Sequence, residues 1–247
     1  MNYLISLTLS AAVSMTTLFS AKRPVKPAPE PVVVLELFTS QGCSSCPPAD
    51  KVLQELTQQA VRSGQAVYGL SFHVDYWNRL GWQDPFSGKL FTDRQRQYDR
   101  VLKTQTYTPQ LVINGRQDVI GGQRGRIEQA IQTIQKQPAS GFIGVDGSVS
   151  HEAKQVIVNY ALSAAGPYRV NVALVQKEAR TVVGNGENGG RTLVNTNVVR
   201  QFKTIEQTAP SGSVTLLLPN GLKADQTSVL VYVQRSDTGQ VVGAKKL

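Results

Sequence analysis

The stretch Phe38-Thr39-Ser40-Gln41-Gly42-Cys43-Ser44-Ser45-Cys46-Pro47-Pro48 carries the only two cysteines of the chain, spaced Cys-x-x-Cys. An apolar run, Val32 to Phe38, precedes it, and a helical pattern from Ala49 to Leu56 follows. A strand, a tight turn and a helix with two thiols at its entry form the context in which this spacing supports redox chemistry. The run Val32–Phe38 is too uniformly apolar for a half-exposed strand and predicts a central parallel one. Glu36 interrupts it, and two readings stand: a strand-end carboxylate facing solvent, or a buried carboxylate that exchanges protons with Cys46.

Around this centre the 247 residues allow one large domain or two small ones. Residues 4–21 are apolar and uncharged but include seven Ser or Thr. That composition suits a signal-peptide core better than a stable span, so residues 1–21 are expected to direct export to the periplasm or outside the cell. Residues 22–31 contain four prolines and read as an extended linker. The formal charge of +9 is spread along the chain: residues 1–140 hold 15 Lys+Arg against 10 Asp+Glu, and residues 141–247 hold 11 against 7. Nucleic-acid binders concentrate charge on a face or tail, so no nucleic-acid partner is expected. No membrane span is expected after processing.

Past the cysteines, a helix runs to about Arg62 and stops at Ser63-Gly64. Ala66–Val74 is a second strand, ending at His73-Val74-Asp75-Tyr76-Trp77. The carboxyl ends of strands in an open α/β sheet border the functional crevice, which places His73 and Asp75 on the edge that holds Cys43. A polar helix near 88–103 follows, then a strand and hairpin joined by Asn114-Gly115, then a helix near 123–137. From residue 140 short β-rich runs alternate with turns, at 155–162, 168–178, 191–205, 213–218 and 227–235. The expectation is an α/β unit over 32–138, βαβαββα in order, and a small all-β sandwich-like domain over 139–247.

Three uses of the cysteines compete. A structural disulfide closing so short a loop gains only about 2 kcal/mol, against about 4.7 for a hundred-residue loop. Two thiolates with His73 suit Cu(I), but one Cys pair and two histidines are too few for a closed four-ligand zinc site. Thiol–disulfide exchange uses the spacing directly, because one thiol attacks and the other resolves. Gly184-Asn185-Gly186-Glu187-Asn188-Gly189 fits G-x-G-x-x-G, yet a β-like segment follows it where a dinucleotide site needs a helix. It is read as a turn, with a binding loop as the functional alternative.

The βαβαββα order, the Cys-x-x-Cys at the first helix and Tyr107-Thr108-Pro109-Gln110 before the hairpin resemble the thioredoxin fold. More narrowly, Glu36 to Asp50 and His73 to Trp77 resemble a family of secreted bacterial thioredoxin-like proteins of unknown function, with weaker echoes at Gly186-Glu187-Asn188 and Asn197-Val198-Val199-Arg200. The resemblance implies that Cys43 is the exposed attacking thiol, Cys46 the buried resolving one, and Pro109 a cis-proline facing them. Glu36, Cys43, Cys46 and Pro109 are thus the catalytic candidates, and Thr108, His73, Asp75 and Trp77 those for substrate contact. Two departures stand out. Glu36 lies seven residues before Cys43, where thioredoxins have a carboxylate six before, and Pro47-Pro48 removes two donors from the helix start. The expected function is an exported thiol-disulfide oxidoreductase acting on protein or small-molecule disulfides, with no cofactor and no resident metal. The alternatives are a periplasmic copper-binding protein using the cysteines and His73, or a non-enzymatic binding module with a structural disulfide.

Overall fold

Alternation along the first strand decides what packs where. In the computed structural model, which describes residues 28–247, β1 spans Val33–Thr39. Val33, Leu35 and Leu37 face α1 (Cys46–Ser63) and α3 (Arg124–Gln135), meeting Leu53, Leu56, Ile127 and Ile131. Val34 and Phe38 face the other way, toward α2 (Lys89–Leu102), where Phe91 and Tyr98 cover them. Side chains two residues apart share a face of a strand. Glu36 therefore points to the α2 side. The expected signal segment and most of the Pro-rich linker lie outside the described residues, among which no helix is long and apolar enough to cross a membrane.

β1 pairs in parallel with β2 (Val67–His73) and antiparallel with β3 (Gln110–Ile113), which turns through Asn114-Gly115 into β4 (Gln117–Ile120). Asn114 and Gly115 hold φ of 46° and 67°, both left-handed, at the centre of a turn closed by Arg116 N–H on the Ile113 carbonyl. The later strands are β5 (Val145–Glu152), β6 (Gln155–Leu162), β7 (Tyr168–Val182), β8 (Thr192–Gln207), β9 (Ser211–Leu217), β10 (Thr227–Arg235) and β11 (Val241–Lys246). β5 is mostly polar and β11 follows the turn at Gly239, so neither gives a clear apolar pattern in the sequence.

Among the described residues the structure is mixed α/β, with three α-helices and one large mixed sheet. That sheet has eight strands in the order β11-β10-β7-β8-β2-β1-β3-β4, joined in the middle by a parallel contact of β2 with β8 at Ser71↔Val198. A second sheet, β5-β6-β9, lays Val156, Val158, Val214 and Leu216 over Val172 and Leu174 of β7 and Val229 and Val231 of β10. The expected division at 138–141 falls on a short 3-10 turn, Ala139–Gly141. Strands from both sides of that turn enter the large sheet, and Phe202 of β8 stacks edge-on against Phe72 of β2 with ring centroids 5.4 Å apart.

Glu36 is fully buried and accepts from Arg94 Nε at 2.5 Å and Nη2 at 3.0 Å, and from the Tyr98 hydroxyl at 2.5 Å. Arg94 also donates to Tyr232 Oη at 2.8 Å, so the pair ties β1, α2 and β10 together. Removing one partner of a buried pair leaves the other charge uncompensated, at a cost of about 3–5 kcal/mol. Glu36→Gln is expected to destabilise the whole chain by that amount in one transition. Trp77 and Trp82 fluorescence and far-UV circular dichroism should follow the same urea curve, and two separated transitions would refute it.

Candidate functional site

The two thiols sit where β1 ends and α1 begins. Cys46 opens α1, and Pro47 and Pro48 occupy its second and third positions, where a backbone N–H has no acceptor within the helix, so neither proline costs the helix a hydrogen bond. Cys43 and Cys46 are free and both are fully buried. Around Cys43 Sγ lie Ser45 Oγ at 3.3 Å and Thr108 Oγ1, which donates to it at 3.4 Å. The Thr108–Pro109 bond is cis. Trp77 Nε1 in turn donates to Thr108 Oγ1 at 2.8 Å.

The two sulfurs differ electrostatically. The hydrogen bond from Cys46 is the main cause that lowers Cys43 from 9.0 to about 6, against the opposing effect of burial, with the Ser45 and Thr108 hydroxyls adding to it. Burial and the adjacent Cys43 push Cys46 well above the ordinary thiol value. One thiol is held ready as the anion and the other is held protonated. The carboxyl that acts on them is Asp50. It stands four residues after Cys46, on the same face of α1, and contributes to the rise of the Cys46 pKa. Burial raises Asp50 from 3.8 to about 7, and its Oδ1 is buried with no hydrogen-bond partner.

Glu36 is not brought to the thiols, which corrects the proton-transfer role expected of it. The residue six before Cys43, Leu37, is the one on the α1 face, and one step along a strand reverses the side. His73 is fully buried, with Nδ1 2.7 Å from Asp84 Oδ2. Burial opposes its cation, but the Asp84 carboxylate overrides this and raises its pKa. Asp75 turns to α2: its N–H donates to Thr92 Oγ1 at 3.1 Å, and Thr92 Oγ1 donates to Asp75 Oδ1 at 2.6 Å. The copper reading needs the thiols and His73 to converge, and among the described residues no three His, Cys, Asp or Glu side chains form such a cluster.

The second half closes the site. Asn188 Nδ2 donates to the carbonyls of both Gln41 and Cys43 at 2.9 Å, and Glu187 Oε2 accepts from Ser44 N–H at 2.8 Å. Asn195 Oδ1 accepts from Gln41 Nε2 at 3.0 Å. The expectation of an exposed attacking cysteine is corrected: Cys43 is fully buried, its carbonyl held by Asn188 and its sulfur beside Ser45 and Thr108. The glycine-rich run 184–190, read as a turn, is the clasp that supplies Glu187 and Asn188. Its Gly186 and Gly190 hold φ of 76° and 79°. Asp50, Asp84 and Asn188 went unassigned in the sequence. For Asp50 the spacing to Cys46 was a usable signal.

Two outcomes test this geometry. Because folding raises the Asp50 pKa, the chain gains stability from the protonated carboxyl below about pH 4 and loses it as pH climbs through 7. The three-unit rise from 3.8 to about 7 corresponds to roughly 4 kcal/mol. Cys43, lowered on folding, acts in the opposite sense between pH 6 and 9. The stability difference between Asp50→Asn and the parent should thus grow in favour of the variant from pH 4 to 8 in urea titrations. Separately, Asn188→Ala removes the two hydrogen bonds to the Gln41 and Cys43 carbonyls, worth about 1 kcal/mol each, and the one that Asn188 Oδ1 accepts from Arg191. Iodoacetamide should then alkylate Cys43 roughly 5–30 times faster, and an unchanged rate would show that the clasp does not limit access.

Among known proteins, the chain is similar to an X-ray crystal structure of a protein from Agrobacterium tumefaciens, determined by structural genomics. The two share 32% identity over 89% of this chain and 96% of that one, with a TM-score of 0.67. A domain of the outer membrane lipoprotein Omp28 from Porphyromonas gingivalis matches at 16% identity over 42% of this chain and 85% of that chain, with a TM-score of 0.25. No curated protein matches. Residues 34–234 match the family described as "Protein of unknown function (DUF1223)", a span that includes the thiols, the His73–Asp84 pair and the clasp, and the chain belongs to that family.

Proposed function

We infer that the protein is a thiol–disulfide oxidoreductase, built on a thioredoxin-like unit over residues 32–138 and working in the periplasm or outside the cell. The observation that carries the reading is the asymmetry of the thiols, with Cys43 lowered to about 6 and Cys46 raised by burial. The βαβαββα order and the cis Thr108–Pro109 bond beside Cys43 support it. Cys43 thiolate attacks one sulfur of a protein or small-molecule disulfide. The substrate S–S bond breaks as the new S–S bond forms, and the departing sulfur leaves with the electron pair as a thiolate. Cys46 then gives its proton to ionised Asp50 and attacks Cys43. The second substrate thiolate leaves, and the Cys43–Cys46 disulfide remains. The pair has given up two electrons and the substrate has become two thiols. The same steps in reverse oxidise a substrate dithiol.

Asp50, with a pKa of about 7, is suited to hold and return that proton near neutral pH. Thr108 and Trp77 position the Cys43 sulfur through their hydrogen-bonded chain. The test is trapping. Cys46→Ser should accumulate mixed disulfides with partner proteins or glutathione, because nothing resolves them. Cys43→Ser should accumulate far fewer, since the remaining thiol is held protonated by its raised pKa. Equal absence of adducts in both variants, under conditions where the native pair cycles, would overturn the reading.

A further inference from the structure

A groove of about 500 Å³ opens between β2 and β8, toward the C-terminal end of α1. β2 pairs with β1 from Val67 to His73 but meets β8 only at Ser71↔Val198. A parallel strand turns the backbone groups of alternate residues to opposite sides. Val33 N–H bonds the Ala66 carbonyl and Val74 N–H bonds the Thr39 carbonyl, so the even-numbered residues of β2 serve β1. Val67 and Gly69 consequently face a gap that β8 does not fill. The floor of that gap is apolar, formed by Val67, Tyr68, Leu70, Val175 and Leu230. All of these but Tyr68 are buried.

The β8 wall carries polar groups that the fold leaves unused. Thr196 Oγ1 is buried without a hydrogen-bond partner. Beside it Asn197 holds a φ of 51°, the left-handed region that Asn adopts more readily than other non-glycine residues. Arg62, Lys177 and Lys246 stand at the mouth with one acid, Glu178. None of these cations forms an ion pair among the described residues. Lys177 Nζ donates only to the Asp225 carbonyl, at 2.8 Å. Partial burial, with Lys177 nearby, lowers the Lys246 pKa. An apolar recess of this volume with a few polar groups at one end has the form of a small-ligand site.

We propose that the opening between β2 and β8 binds a monoanionic amphiphile, its single acyl chain against Tyr68, Leu70 and Leu230 and its carboxylate at Lys177 and Lys246. The site is separate from the thiols. Gln54, the groove residue of α1 nearest the thiols, lies roughly 12 Å along the helix from Cys46, at 1.5 Å per residue. The proposal therefore stands independently of the redox reading.

The experiment is calorimetric titration of the full chain with dodecanoate below its micelle concentration. One saturable site is expected. The exposed-surface variant Lys177→Gln/Lys246→Gln should weaken binding roughly tenfold or more, because it removes the charge-assisted bonds to the carboxylate. Val61→Glu, on the exposed turn of α1 at the mouth, should do the same, and circular dichroism checks that both variants fold. Acetate and dodecanol, which carry only the head or only the chain, should bind far more weakly than dodecanoate. Cys43→Ser/Cys46→Ser should bind as the parent does. Absence of saturable binding overturns the proposal, as does equal affinity in the lysine variant or for dodecanol. Binding of an extended apolar peptide that dodecanoate fails to displace also overturns it, and assigns the gap to strand addition.

Discussion

Arg94 is a cation buried among the rings of Phe72, Tyr98, Phe202 and Tyr232, with its guanidinium carbon 4.6 to 5.8 Å from their centroids. Taking such a charge out of water is expensive, and only close pairing with further hydrogen bonds offsets it. Glu36, Tyr98 and Tyr232 supply that pairing from a strand of the first half, the helix over it and a strand of the second half. The ion pair is a condition that the packing has to meet. β1, α2 and β10 must arrive in one arrangement, or a charge is left stranded. The shared sheet and the aromatic contact of Phe72 with Phe202 follow from that arrangement.

The thiol centre uses the same principle with smaller charges. Its polar groups come from four directions: β1 and its turn, α1, the Thr108–Pro109 segment, and the glycine-rich loop after β7. Each sulfur takes its protonation state from its neighbours, Cys43 from hydrogen-bond donors and Cys46 from burial. The carboxyl that raises the Cys46 pKa, Asp50, sits on the helix and not on the strand. It reaches the sulfur because residues 46 and 50 stack on one helical face.

Much of this was legible in the sequence. Uniform apolarity gave away β1, the Asn114-Gly115 pair its hairpin, and Ser63-Gly64 the end of α1. The placing of Glu36 was not legible, because a carboxylate in an apolar run signals burial without saying which face, and Arg94 looked like one more cation of a polar helix. β5 and β11 lacked apolar alternation. The clasp was hidden for another reason. Asn188 and Asn195 act through contacts 145 to 154 residues away in the chain, and no local pattern encodes a partner at that distance.

Those long separations bear on the order in which the site comes into being. A chain made from its amino end releases Cys43 and Cys46 early, while Glu187 and Asn188 follow more than 140 residues later. Contacts of such sequence separation also form late in folding, because the loop they close is long. The thiols therefore pass through a period in which β1 and α1 exist and the clasp does not. During that interval the pair is open to any oxidant or disulfide in the compartment. The redox state in which the pair is first enclosed is set by the surroundings in which the newborn chain folds.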